Sequence, residues 1–80
     1  MNAKEAYTIA ESAYEVKCAK QLDFILRQIE ECASKGEFAY IAHQLYPENI
    51  KPLERLGYTV SIGHSIVNDN TDYIIEWRNV

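Results

Sequence analysis

Between residues 3 and 35, apolar or small side chains recur at Tyr7, Ala10, Tyr14, Cys18, Leu22, Ile25, Ile29 and Cys32. Steps of three and four place these positions on one stripe of an α-helix. No glycine or proline interrupts residues 1–35. Asn2 with Glu5 three residues on has the form of a capping box, Asn standing where Ser or Thr is usual. At the far end Lys35 suits the negative pole of the helix, and Gly36 suits the left-handed position just beyond it. Asp23 with Arg27, and Glu31 with Lys35, are acid-first i,i+4 pairs that add support on the solvent side.

A helix over this span is a rod of roughly 50 Å. A compact domain of 80 residues has a radius of gyration of only about 12 Å. Either the helix breaks near residues 17–21, where Lys17, Lys20 and Gln21 thin the apolar pattern, or its N-terminal half packs against another chain. Ile9, Ala13 and Val16 add a second line of apolar positions there, which favours self-association.

Residues 37–45, EFAYIAHQL, lack charge after Glu37 and read as a strand buried on both faces or nearly so. An irregular turn is expected at 47–50. A short helix follows, with Pro52 as its first residue and Leu56 near its end, because a proline inside a regular helix clashes with the preceding turn. Gly57 then serves as its cap, with Tyr58 folding back. Residues 58–65 alternate, with Tyr58, Val60 and Ile62 on one face. Asn68 to Thr71 is a turn by composition, and residues 72–78 place Tyr73, Ile75 and Trp77 on one face. The expected fold is α+β in the order α-β-α-β-β: one long N-terminal helix packed on a small three-stranded sheet. A right-handed crossover makes the first two strands parallel, and the third runs antiparallel between them, giving strand order 1-3-2. The face Tyr58, Val60, Ile62, Tyr73, Ile75, Trp77 is expected to rest on the long helix.

Composition narrows the functional classes. The chain reads as a single domain, 1–80, with a hydrophobic fraction of 48% and 25% charged residues, close to globular averages. No 18-residue apolar run is present to span a membrane, and acids occupy the place where a signal peptide needs an apolar core. Two cysteines make no disulfide framework, so the cytoplasm is the expected setting. Eight basic against twelve acidic residues, a net charge of −4, disfavours general nucleic-acid binding.

Candidate chemistry is sparse. Ser61 and Ser65 flank His64 only in sequence, since adjacent strand residues point to opposite faces, so His43 and His64 read as polar strand residues and catalysis shared between subunits through either of them is the weakest reading. Cys18 and Cys32 stand about four helical turns apart and read as small buried residues rather than a disulfide or zinc site. Asn68, Asn70 and Asp72 alternate like the start of a calcium loop, but Tyr73 and Asn79 stand where such a loop needs Gly and Glu. There is no glycine-rich phosphate loop. Neither a cofactor nor a metal is implied. The unusual count is six tyrosines. Tyr58, Tyr73 and Trp77 read as core, whereas Tyr7 and Tyr14 lie on the helix half that one domain does not cover. With Lys4, Lys17 and Lys20 they form the candidate binding surface, since aromatic rings with polar tips suit interfaces and stack on ligand rings.

The opening NAKEA, the helix end KGEF, the short helix end LERLGY and the closing YIIEW together resemble small phage-encoded proteins of mostly unassigned function. Those proteins have a long N-terminal helix and a C-terminal hairpin with a tyrosine–x–isoleucine–x–tryptophan pattern, here Tyr73, Ile75 and Trp77. The matching motifs are helix stops and a hairpin face, so no functional residue carries over. The resemblance implies a context, the cytoplasm of an infected bacterium. The expected function is that of a non-enzymatic accessory protein, a homo-oligomer that binds and inhibits a host protein, including one of the host's defences. One alternative is a sponge for a cyclic or modified nucleotide held between subunits. Another is an accessory of the virion or its assembly.

Overall fold

The computed structural model describes residues 1–64 and 71–78. Helix α1 runs unbroken from Ala3 to Ser34. It starts on Asn2, whose side chain accepts a hydrogen bond from the Glu5 N–H at 2.8 Å and donates to the Glu5 carboxylate at 3.0 Å. It ends at Gly36, at φ +82°, in a Schellman motif: the Gly36 N–H donates to the Ala33 carbonyl and the Glu37 N–H to the Cys32 carbonyl. Both acid-first pairs form, Asp23–Arg27 at 3.0 Å and Glu31–Lys35 at 3.6 Å.

Strand β1, Ala39–Ala42, follows. A 3₁₀ turn, Pro47–Asn49, leads directly into helix α2, Ile50–Arg55. Strands β2, Thr59–His64, and β3, Thr71–Glu76, complete the chain. The sheet order is β1-β3-β2, with β3 antiparallel to both neighbours, so β1 and β2 run parallel as the pattern predicts. The expected turn at Asn68–Thr71 lies outside the described residues apart from Thr71, which begins β3.

Two boundaries and one burial pattern differ from the sequence reading. The short helix begins at Ile50 rather than Pro52, because a proline in the first helical turn has no intrahelical donor to lose. β1 is shorter than 37–45, since Leu45 is buried beneath α1 and draws the chain off the sheet edge. It is also not buried on both faces: Ile41 is exposed while Ala42 is buried.

The core forms on one side of the sheet. Ile25 and Ile29 from α1, Ala42, Leu45, Leu53 from α2, and Ile75 from β3 are all buried. Tyr58, Val60, Tyr73 and Trp77 pack around them, with Tyr58 and Trp77 edge to face at 6.1 Å between centroids. Ile62 belongs to the same sheet face, but it is 62% exposed on the edge strand β2, separated by Tyr73 from the buried Ala42 of β1.

Candidate interaction surface

The core claims only part of α1. Its buried residues are Cys18, Ile25 and Ile29, and all of residues 1–13 are exposed. The molecule therefore measures 50 × 30 × 18 Å with a radius of gyration of 15.2 Å, against about 12 Å for a compact chain of this length. The excess is the N-terminal half of the helix standing clear of the domain.

The domain's reach ends at Tyr14, and a polar latch fixes that limit. Asn49, only 4% exposed, donates from its Nδ2 to the Cys18 carbonyl and to Gln21 Oε1, both at 2.9 Å. Gln21 Oε1 also accepts from the Tyr46 N–H at 2.8 Å, and Gln21 Nε2 donates to the Gln44 carbonyl at 3.4 Å. Gln21, which appears in the sequence as a gap in the stripe, is the residue that ties α1 to the segment after β1. Gln21 is legible only as a polar interruption of the stripe and Asn49 only as part of the irregular turn at 47–50, because pairing across the fold leaves no local signal.

Above the latch, the Tyr14 ring meets Tyr46 edge-on at 5.2 Å, and its hydroxyl donates to the Glu48 carboxylate at 2.6 Å. That bond to a charged acceptor, helped by burial, raises the Tyr14 phenol well above the usual tyrosine range. Further down the helix, burial and the nearby Glu37 carboxylate raise the Cys32 thiol.

Tyr7 is 69% exposed. With Ala10, Glu11, Ala13, Tyr14 and Lys17 it lines one open apolar groove along the helix. The structure thus brings together Tyr7, Tyr14 and Lys17. Lys4 lies in a neighbouring depression beside Glu5, Thr8 and Ile9, and Lys20 borders neither. Among the described residues, none of Lys4, Lys17 and Lys20 has an ion-pair partner.

The rest of the exposed chemistry is modest. His43 follows β1 at a bend, exposed, with Nδ1 3.0 Å from an Asp72 oxygen. A second apolar groove, not signalled by the sequence, lies between the C-terminal half of α1 and the end of α2, lined by Leu26, Ile29, Ala33, Leu56, Tyr58 and Trp77. Among the described residues no cluster of three metal-binding side chains occurs, and no helix is long and apolar enough to cross a membrane. Comparison with protein families, curated proteins and solved structures finds no match to this chain.

Proposed function

We propose that this is a non-catalytic binding protein that works by protein–protein contact, with the projecting half of α1 as its docking element. One observation carries the reading: a helix studded with Tyr7, Ile9, Ala10 and Ala13 is exposed from residue 3 to residue 13, and Val16 beyond it is exposed too. An isolated helix of fewer than about 12–15 residues is marginal in water, and an exposed apolar face of this kind marks an interaction site. In the phage setting that the sequence resembles, the protein assembles through this helix and the assembled form binds and inhibits a host protein.

Native mass spectrometry of the chain purified gently from a bacterial lysate tests the reading, with Ile9→Glu alongside. Multiples of 9.2 kDa, or a protein-sized addition, that disappear in Ile9→Glu support it. A bare monomer, or an assembly indifferent to the substitution, contradicts it.

A second reading, a nucleotide sponge, draws support from the Lys17 ammonium sharing a groove with the Tyr7 and Tyr14 rings. The Glu11 carboxylate in that groove and the Glu48 carboxylate on the Tyr14 hydroxyl oppose a phosphate there. A thermal-shift panel of cyclic and linear nucleotides decides it, since a tight ligand raises the melting temperature in proportion to ln(1 + [L]/Kd).

A further inference from the structure

Strand β1 forms one edge of the sheet, since the strand order is β1-β3-β2. The Trp77 N–H donates to the Phe38 carbonyl, and the same register continues through Tyr40↔Ile75 and Ala42↔Tyr73. Antiparallel pairing engages every second residue of a strand on a given side. Phe38, Tyr40 and Ala42 therefore turn their backbone groups to β3, while those of Ala39 and Ile41 point away from it. Among the described residues nothing bonds to the backbone of Ala39 or Ile41 on that outer side. No proline, charged side chain or bulge interrupts the edge from Phe38 to Ala42, and these are devices that block the addition of a further strand. Ile41 is also 53% exposed.

A cleft lies beside this edge. Leu26 faces the groove that α1 shares with α2, and Phe24, two positions away on the helix, points to the opposite flank. There Phe24, Ile25, Tyr40, Ala42, His43 and Gln44 line an open cleft between α1 and β1. Phe24 is 56% exposed, and no carboxylate or ammonium group lines the walls.

The two features suit the same occupant. An extended backbone antiparallel to β1 meets the outward N–H and C=O groups of Ala39 and Ile41. Its residue opposite Tyr40 then points to the helix side of the sheet, into the cleft. Walls without a charge take an apolar side chain there. A second copy of the chain fills the cleft poorly. Pairing β1 with itself brings Phe38, Tyr40 or Ala42 to that place. The Phe38 ring lies 4.5 Å from the Arg78 guanidinium, and Tyr40 and Ala42 pack in their own core. We infer that β1 is a docking edge that takes an extended segment of another protein as an added antiparallel strand, with a bulky apolar side chain seated between Phe24 and Tyr40. This surface is separate from the projecting half of α1, and the inference stands whether or not that half docks.

The probe is a capped heptapeptide, Lys-Thr-Val-Phe-Val-Thr-Lys, titrated into the isotope-labelled chain and followed by NMR and amide exchange. Its phenylalanine is aimed at the cleft, its valines lie beside Ile41, and the lysines keep it soluble. Saturable binding with a Kd on the order of 0.1–1 mM is expected. Exchange of the Ala39 and Ile41 amides slows at least ~5-fold at saturation, and the Tyr40 and Ala42 amides, already bonded to β3, change less. N-methylation of both valines, whose N–H groups face β1, abolishes binding, whereas N-methylation of the phenylalanine leaves it. Replacing the peptide's phenylalanine by glycine, or Phe24→Ala in the chain, weakens binding at least ~10-fold. Ile41→Pro abolishes it and keeps the fold, because the Ile41 N–H takes no part in the ladder to β3. Ile62→Pro, the matching change on the outer side of β2, leaves binding intact. Should a proline variant fail to fold, the N-methylated peptides make the same test on the unaltered chain. No saturable binding up to ~5 mM, binding indifferent to N-methylation of the valines, or binding lost in Ile62→Pro but kept in Ile41→Pro overturns the inference. Protection of Ala39 and Ile41 that rises with the concentration of the chain alone also overturns it, because the occupant is then a second copy.

Discussion

The Asn49 carboxamide faces two acceptors, the Cys18 carbonyl and Gln21 Oε1, in a site closed to water. Asn49→Ala removes the donor that both share, leaving Gln21 Oε1 with the Tyr46 N–H alone, and is expected to cost about 2 kcal/mol in a denaturant titration. Asn49→Asp is expected to cost more at neutral pH, because it points a carboxylate at two acceptors. Tyr14 offers a pH signature of the same corner of the fold. Its phenol is held protonated by the hydrogen bond to Glu48, so the folded chain keeps a proton that the unfolded chain loses near pH 10. The unfolded state then binds fewer protons, and this contribution, complete below pH ~10, falls away as pH rises further. Ultraviolet titration should show a late-ionising tyrosine that vanishes in Tyr14→Phe.

At the scale of elements, both helices stop on glycines in the left-handed region, Gly36 at φ +82° and Gly57 at φ +100°. The second ending repeats the first: Gly57 N–H donates to the Glu54 carbonyl and Tyr58 N–H to the Leu53 carbonyl. A Cβ at Gly57 meets nothing within 4 Å, so Gly57→Ala isolates the backbone cost, about 1–2 kcal/mol, checked by the shift in melting temperature. These stops, the Asn2 cap and the core face of β3 were legible because each depends on local chemistry or on a period of two, and the strand order because a right-handed crossover makes the first two strands parallel. What the pattern missed depends on the fold as a whole. Whether Ile62 is covered is set by the place of β2 at the edge of the sheet, and the width of β1 is set by Leu45 turning inward. The polar break at Gln21 looked like a place for the helix to stop. Its amide is instead satisfied by Tyr46, Asn49 and Gln44, so the helix runs through.

For the molecule as a whole, the division of α1 is the governing feature. Its second half is held by Ile25 and Ile29 in the core, and its first half extends past Tyr14 with none of the described elements covering it. Of the residues singled out in the sequence, Tyr7, Tyr14 and Lys17 share one surface on this projection, while Lys4 and Lys20 stand off it. The lengthwise pattern was visible beforehand. The exact point where the domain lets go was not, because it is set by the long-range contacts of Tyr14 with Tyr46 and Glu48. The most direct test is amide hydrogen exchange along α1 as a function of protein concentration. In dilute solution, residues 6–16 should exchange on the order of 100-fold or more faster than residues 22–33, and should gain protection as concentration rises. Equal protection of both halves at every dilution would mean that the projecting helix needs no partner, and would contradict the account.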